Sequence, residues 1–464
     1  MAITKLSSSC RRYFERVDTG WPGRIGTLGL GALGAGLAAI FGWVARQQEL
    51  DTHMPEFIGL LLLAGILYVV GVFWVERYRL GASALIIILA SGILFRLELL
   101  PSPSTLSDDV YRYQWDGRVQ REGLNPYVVY PNSPDLDWLQ NPEHPEPPGE
   151  ETSTIYPPLA EFVYRLIETV PGYKRVSTLL DLGSIVVLML LLGAMKQPLH
   201  RVLAYAWNPT ILIAFAMSGH FDSLAIVMLL IALLFLAINR PKLSVGALAL
   251  AFLSKFFPIM LLPTFLKRTR LAYAGLFLLI VSALYLPFSS AGLHLFRGLM
   301  NYARDWENND SLFRLLYFFV RSRMGAKLVA GLILLGAIGF LAKKRTEPLL
   351  SSLVLTAGVL LLSPTAYPWY FTWSIPFLCF YPSAAWLLMS VTTVLAYSPT
   401  IMFGAGEPLK SSLLMLSLEY GPVYVWLVYY WWAARRANIS LVSPAVQRTV
   451  AGSVSVEPPL SREL

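Results

Sequence analysis

Long apolar runs, separated by short polar or basic connections, recur along almost the whole of this chain. Many approach the length of about 20 residues that an α-helix needs to cross the hydrocarbon of a bilayer. Backbone polar groups in lipid must be satisfied internally, so such runs predict helices. We therefore expect an all-α polytopic membrane protein with about 12–14 transmembrane helices. The predicted spans lie near 24–46, 56–75, 81–100, 175–195, 201–217, 222–239, 243–266, 270–288, 325–342, 347–363, 368–381, 383–400 and 413–433.

The polar connections between these runs predict an orientation. Short cytoplasmic loops carry an excess of Lys and Arg. The run 243–266 is interrupted by Ser254, Lys255 and Pro258 and has basic flanks on both sides, which predicts a hairpin of two short helices with both ends in the cytoplasm. The basic clusters then fall on the cytoplasmic side: Lys5/Arg11/Arg12/Arg16, Arg77/Arg79, Lys196/Arg201, Arg240/Lys242, Lys267/Arg268/Arg270, Lys343/Lys344/Arg345 and Arg435/Arg436.

This threading predicts one membrane domain, 24–436, between a cytoplasmic tail, 1–23, and a disordered cytoplasmic tail, 437–464. The first apolar run is long enough to span, so we expect it to remain as an anchor rather than a cleaved signal. Two long loops, 101–174 and 289–324, lie outside the cytoplasm. The first is acidic and Pro-rich but also contains Trp and Tyr, so we expect it to fold as short amphipathic helices on the membrane surface.

Composition agrees with a membrane protein and argues against nucleic acid as a partner. The chain is 55% hydrophobic and 14% charged, whereas soluble domains carry about 25% charged residues. Its net charge of +8 comes from short clusters between apolar runs, a distribution that indicates membrane topology and not nucleic-acid binding. Cys10 and Cys379 are the only cysteines and predict neither a disulfide framework nor a cysteine metal site.

A few charged residues lie inside predicted spans, all toward the outer end. Charged groups at membrane depth are costly and usually mark a cavity or pathway. Snorkelling to the interface explains any one of them equally well, but it does not explain their shared side. Their distribution favours a site at the outer membrane surface. The residues are Arg96, Glu98, Asp181, Asp222, Lys255 and Glu419.

An acidic pair, Asp108 and Asp109, lies where the third predicted span leaves the membrane, and aromatic and arginine residues follow it. A carboxylate there could accept a proton from a hydroxyl nucleophile carried on a lipid. The spacing alone also fits a structured loop with surface ion pairs. Two acidic residues by themselves do not make a convincing metal site.

The segments around this pair form a recognisable set. They are Ser107–Arg118, Gly123-Leu124-Asn125-Pro126-Tyr127, Tyr156-Pro157-Pro158-Leu159, Trp207-Asn208-Pro209 with Gly219-His220-Phe221-Asp222, Ser254–Pro258, Asp305–Phe313, and Ser363-Pro364 with Tyr367-Pro368-Trp369-Tyr370. With them the chain resembles the GT-C superfamily of membrane glycosyltransferases, above all the glycosyltransferase family 87 mannosyltransferases. A more distant resemblance is to the catalytic subunit of GPI mannosyltransferase I. Phe221 stands where the pattern has Asn, and Tyr367 where it has His.

The resemblance implies an inverting transfer that needs no cofactor and no divalent metal. The implied donor is a polyprenyl-phosphate sugar, most often polyprenyl-phosphate mannose, and the acceptor is a lipid-linked glycan or glycolipid. The active site would face away from the cytoplasm, and the membrane would be the plasma membrane if the source is bacterial or archaeal. The alternative function is a lipid or solute transporter or flippase. That alternative predicts polar groups at the midplane and repeated halves, and the sequence displays neither.

Roles follow for single residues. Asp109 is the first candidate for the base and Asp108 the second. Lys255 is the favoured contact for the leaving phosphate, because a cation stabilises that charge. Asp116 is expected to be structural and paired with Arg118. The other candidate substrate contacts are Arg112, His220, Asp222, Arg304, Tyr156, Tyr367, Trp369 and Tyr370; the last three also fit an interfacial aromatic belt, and Tyr156 also fits a role in shaping its loop.

Overall fold

The computed structural model describes residues 21–47, 49–50, 52–78, 80–140, 147–398 and 413–436. Within these ranges the protein is helical, and the one β contact is an isolated parallel bridge between Asn308 and Thr365. The predicted all-α polytopic class is confirmed. The main helices are α1 Trp21–Val44, α2 Met54–Arg77, α3 Ala82–Leu99, α4 Asp109–Arg121, α5 Pro158–Arg165, α6 Val170–Ala194, α7 Asp222–Ala237, α8 Pro241–Phe252, α9 Leu262–Arg268, α10 Tyr273–Tyr285, α11 Arg297–Asp305, α12 Leu312–Val320, α13 Arg323–Lys343, α14 Pro348–Leu362, α15 Ala384–Thr392 and α16 Leu413–Arg436.

Shorter helical segments join these helices. Several begin at or next to a proline, which removes a backbone donor and interrupts a regular α-helix. The short segments are the α-turns Leu203–Ala206 and Pro209–Leu212, the π-helix Ile213–Met217, and the 3₁₀ segments Pro134–Leu139, Leu199–Val202, Phe257–Leu261, Leu286–Phe296, Pro368–Trp373, Ile375–Cys379 and Thr393–Tyr397.

The number of full-length spans is lower than predicted. Among the described residues, 6 helices are long and apolar enough to cross a membrane, or up to 7 if the bent pair Pro209–Met217 and Asp222–Ala237 counts as one span. Other predicted spans are shorter apolar helices or proline-interrupted 3₁₀ segments, as in 368–381. The apolar runs are helical as predicted. Apolarity alone does not show where prolines divide a run into shorter segments.

Both long loops contain the predicted short helices. The first, 101–174, carries α4 and α5, and the second, 289–324, carries α11 and α12. Residues 1–20 and 437–464, which make up most of the predicted tails, lie outside the described residues, as do Cys10 and 141–146 in the first loop. The side of the membrane on which the loops lie stays a prediction.

Two of the charged residues in predicted spans form a buried ion pair. Arg96 of α3 donates from Nε to Asp181 Oδ2 of α6 at 2.6 Å, and the two side chains are 1% and 0% exposed. A second guanidinium nitrogen donates to the carbonyls of Gly92 and Ala206. Both charges are satisfied inside the protein, so snorkelling does not explain them. The pair fixes α6, which leads toward the candidate site, against α3.

Candidate active site

A cavity that is partly open to solvent lies beside the first turn of α4. Asp109, the first residue of α4, lines it with a side chain that is 24% exposed. Asp108 is the residue before the helix; it is exposed and does not line the cavity. The other lining residues are Arg112, Pro148, Gly149, Thr152, Ile155, Tyr156, Tyr302, Trp306, Tyr367 and Tyr370.

His220 reaches Asp109 from a sharp turn in the chain. The helical axis bends by 120° between residues 209–217 and α7. The first of these segments ends in the π-helix. Gly219 makes the turn possible, because its φ of 75° is strained for any residue with a side chain. The turn brings His220 Nδ1 to 3.4 Å from Asp109 Oδ2, although the two residues are far apart in sequence.

Tyr113, which also lies on α4, approaches the same nitrogen of His220. Its hydroxyl lies 3.5 Å from His220 Nδ1. Burial, with a smaller contribution from Asp109, raises the pKa of Tyr113 well above its ordinary value, so the phenol stays protonated. Asp109 and Tyr113 therefore bring a carboxylate and a protonated hydroxyl to the same ring nitrogen of His220.

Aromatic stacking fixes the His220 ring. The ring stacks on the indole of Trp369 with centroids 4.0 Å apart, and Tyr367 stacks on the same indole at 4.6 Å. His220 is 1% exposed and its Nε2 has no hydrogen-bond partner among the described residues. Trp369 is also buried, so the belt interpretation is wrong for this residue. Tyr367 and Tyr370 face the cavity and not lipid alone.

Lys255 lies just behind the aromatic wall of the cavity. It occupies the break after α8 and pairs with Asp222 Oδ1 at 3.1 Å, where its side chain is 17% exposed. The ammonium is 5.0 Å from the ring centroid of Tyr370 and 5.9 Å from that of Tyr156, both of which line the cavity. Asp222 is fully buried and also accepts a hydrogen bond from Trp373 Nε1 at 2.6 Å. A cation is thus held beside the cavity by one carboxylate and several ring faces.

Arg112, and not Arg118, is the ion-pair partner of Asp116. Its Nε donates to Asp116 at 3.0 Å, one turn along α4, and its other two nitrogens donate to backbone carbonyls. The predicted pair of Asp116 with Arg118 is wrong, because Arg118 donates instead to the carbonyls of Leu139 and Gln140. The i,i+4 spacing on a helix favours the pair that forms.

Asp116 and Glu161 form a buried acidic pair next to Arg112. Glu161 is bound by Thr154 Oγ1 at 2.6 Å and by Gln120 Nε2 at 2.7 Å. Burial raises the pKa of both carboxyls, and the charge of Asp116 raises that of Glu161 further. Since Arg112 can balance only one negative charge, Glu161 holds its proton more tightly than a solvated glutamic acid does.

We expect Glu161→Gln to be tolerated and to stabilise the protein above the ordinary pKa of a glutamic acid. Glutamine has the size of glutamic acid, and its amide oxygen can accept the hydrogen bond that Thr154 Oγ1 donates. Because folding raises the pKa of Glu161, the wild-type protein loses stability as the pH rises through that folded-state pKa, and the variant does not. Thermal melting of the purified proteins across pH tests this. The variant's melting temperature should exceed that of the wild type increasingly with pH, whereas the exposed Glu122→Gln should give a constant difference.

The structure does not bring Arg304 into the cavity. Its side chain is 66% exposed and pairs with Asp305 at 2.8 Å. Tyr302, from the same helix, does line the cavity and places its hydroxyl 2.8 Å from that of Tyr370. The sequence did not single out Tyr302 as a site residue. It indicated Trp306 only as part of the segment Asp305–Phe313. Tyr302 lies on the amphipathic α11, and Trp306 directly follows that helix four residues later, a spacing that places the two aromatic residues close together.

Two further observations limit the chemistry of the site. Among the described residues, no group of three or more His, Cys, Asp or Glu side chains could hold a metal ion. A second cavity of about 330 Å³, on the side of Trp369 toward α15, is lined by apolar and hydroxyl-bearing side chains without a charged one. The cavity beside Asp109 is therefore the candidate active site.

A polytopic helical protein with a carboxylate, a histidine and a lysine gathered at one aromatic-walled cavity has the features of a membrane glycosyltransferase. Residues 21–269, more than half of the chain, match the N-terminal domain of the alpha-(1->6)-mannopyranosyltransferases, the MptA_B family. The chain belongs to this family. No match was found among curated proteins or solved structures.

Family membership confirms the predicted mannosyltransferase class and membrane character. It also favours the transferase hypothesis over a transporter or flippase. Asp109, His220, Asp222 and Lys255 all fall within the matched residues. The resemblance to the GPI enzyme, the lipid-linked donor, the side of the membrane and the role of each site residue stay predictions.

Proposed function

We propose that this protein transfers mannose from a polyprenyl-phosphate mannose to a glycolipid or lipid-linked acceptor on the extracytoplasmic side of the membrane. The observation that carries this proposal is the cavity itself. Asp109 lines it, His220 contacts Asp109 at 3.4 Å, and Lys255 lies behind its aromatic wall. These groups supply a proton acceptor and a cation at one site, which a sugar transfer from a phosphate requires.

Asp109 is the base in the proposed reaction. The acceptor hydroxyl oxygen attacks C1 of mannose, the bond from C1 to the phosphate oxygen breaks, and the hydroxyl proton passes to the Asp109 carboxylate. His220, whose Nδ1 lies 3.4 Å from Asp109 Oδ2, holds that carboxylate in position. Asp108 is exposed and does not line the cavity, whereas Asp109 does.

Lys255 stabilises the polyprenyl phosphate that leaves. The phosphate gains negative charge as the C1–O bond breaks, and a nearby ammonium lowers the energy of that state. Its pairing with Asp222 and its aromatic neighbours hold the ammonium in place before the reaction, so little reorganisation is needed. Arg112, whose three guanidinium nitrogens are bonded within the protein, is less suited to this task.

The aromatic lining suits a sugar ring. Tyr156, Tyr302, Trp306, Tyr367 and Tyr370 present flat apolar faces together with hydroxyl or indole donors. Such side chains can cover the apolar face of mannose while their polar atoms bind its hydroxyls. The family description names an alpha-(1->6) linkage. An inverting reaction would form that α product from a β-linked donor, with a primary hydroxyl of the acceptor as nucleophile.

The donor prediction is tested with purified protein in detergent. Polyprenyl-phosphate mannose should support transfer to an alkyl mannoside, and a nucleotide-linked mannose should not. The reason is that the proposed site faces away from the cytoplasm, where nucleotide sugars are made. Efficient transfer from the nucleotide sugar, without transfer from the polyprenyl phosphate, would reject this proposal.

The orientation is tested by labelling intact cells with an impermeant maleimide. Cys10 and Cys379 are first replaced by serine, and single cysteines are then introduced at exposed positions. Trp138→Cys and Asp305→Cys, in the two long loops, should react in intact cells. Lys344→Cys, in a predicted cytoplasmic loop, should react only after lysis. The reverse pattern would overturn the threading.

A further inference from the structure

One wall of the cavity is a segment without regular structure, residues 148–154, which we call the strap. Pro148, Gly149 and Thr152 of the strap line the cavity together with Asp109. Gly149 has a φ of 70°, and a Cβ there would lie 3.1 Å from Arg112 Nη1. The strap has little secondary structure of its own, so its shape depends on what holds it.

Arg112 holds the strap from α4. Its Nη1 donates to the carbonyls of Pro148 and Gly149 at 3.0 and 2.8 Å, and its Nη2 donates to that of Thr152 at 2.8 Å. Its Nε binds Asp116, which keeps the guanidinium neutralised although it is buried. The planar guanidinium spreads its N–H donors over several acceptors at once. The ammonium of lysine is a compact point charge and cannot reach the same set of acceptors.

Helix α11 holds the strap from the other side. Gly298 packs directly on it, and a Cβ there would lie 2.3 Å from the carbonyl oxygen of Ser153 and 2.5 Å from that of Thr154. Thr154 is also bound to Glu161 of α5. The strap is thus fixed at three points, by helices that carry Asp109 on one side and Tyr302 on the other.

We infer that the strap forms the acceptor side of the active site and that Arg112 is a positioning residue that sets acceptor affinity. This inference rests on the proposed function. An inverting transfer needs the acceptor and the leaving phosphate on opposite sides of C1. Lys255, the cation for the phosphate, lies behind Tyr156 and Tyr370, whereas the strap is bound to the same helix as the proposed base.

Two substitutions on different elements loosen or displace the strap. Arg112→Lys keeps the charge beside Asp116 but loses the fork that binds the three carbonyls. Gly298→Ala pushes the strap backbone from α11, since neither carbonyl oxygen can move as a flexible side chain would. Both should raise the KM for an octyl α-mannoside acceptor by about tenfold or more, because small displacements of a positioned substrate are costly.

In both variants the KM for the donor should stay within about twofold of the wild-type value, since the proposed phosphate contact is untouched. Hydrolysis of polyprenyl-phosphate mannose should rise relative to transfer, because water can take the place of a poorly held acceptor. In that side reaction water attacks C1, its proton passes to Asp109, and polyprenyl phosphate leaves.

Arg121→Lys is the matched control. Arg121 lies on the same helix and its guanidinium also donates to two carbonyls, those of Arg165 and Ile167, but it does not line the cavity. It should leave both KM values and the hydrolysis ratio unchanged. Active wild-type protein with an unchanged acceptor KM in both strap variants, or with a raised donor KM alone, would overturn the inference. Absence of transfer by the wild type would reject the proposed function itself.

Discussion

Replacing Asp109 by asparagine should lower kcat by about 10²–10⁴-fold, the usual contribution of a general base. The amide keeps the size of the side chain and a hydrogen-bonding oxygen near His220, but it cannot accept the hydroxyl proton. The KM for the donor should change little, because the aromatic walls and Lys255 remain. Initial rates of mannosyl transfer at saturating donor and acceptor measure this effect, with protein yield and melting temperature recorded in parallel.

Asp108→Asn is the control, since Asp108 is adjacent in sequence but exposed and outside the cavity. It should retain most of the wild-type turnover. A severe loss for Asp108→Asn with near-normal turnover for Asp109→Asn would move the base to Asp108. Near-normal turnover in both variants would show that neither carboxylate is the base.

Lys255→Gln should lower kcat by about 10²–10³-fold, the loss that is typical when one group stabilising developing charge is removed. The effect should appear in kcat more than in donor KM, because the phosphate gains its extra charge only as the C1–O bond breaks. Asp222 would lose its cation but keep the hydrogen bond from Trp373. Steady-state kinetics with polyprenyl-phosphate mannose measures the change.

Two variants accompany this prediction. Lys242→Gln removes an exposed lysine at the start of α8, the helix that leads to Lys255, and should behave as wild type. Lys255→Arg restores a cation and should recover part of the lost rate. Equal losses in Lys255→Arg and Lys255→Gln would indicate that packing, and not charge, is what the site needs from Lys255.

The sequence predicted features that depend on neighbouring residues. Apolar runs gave the helical class, and the break at Ser254 and Lys255 gave the two helices of the 243–266 run. The acidic pair at the end of a span drew attention to the segment that lines the cavity, and the preference for Asp109 over Asp108 came from the family resemblance. The i,i+4 spacing of Arg112 and Asp116 also favours the pair that forms, whereas Arg118, the predicted partner, lies only two residues from Asp116 and faces another side of the helix.

Contacts between distant segments could not be predicted in this way. His220 meets Asp109 only because the chain turns by 120° before α7. The hydrogen bonds of Arg112 to the strap end on backbone carbonyls, and a backbone carbonyl has no sequence signature. Among the described residues fewer helices reach full spanning length than the apolar runs suggested, since hydropathy measures where lipid is tolerated and not where a proline ends a helix.

The buried ion pair between Arg96 and Asp181 constrains how the protein is made. Arg96 belongs to α3 and Asp181 to α6, with the whole first loop between them in sequence. During synthesis α3 is made well before α6, so Arg96 has no carboxylate partner until α6 has been translated. An unpaired arginine in a membrane span is costly. The ion pair that removes this cost can form only after the loop that carries Asp109 has been translated.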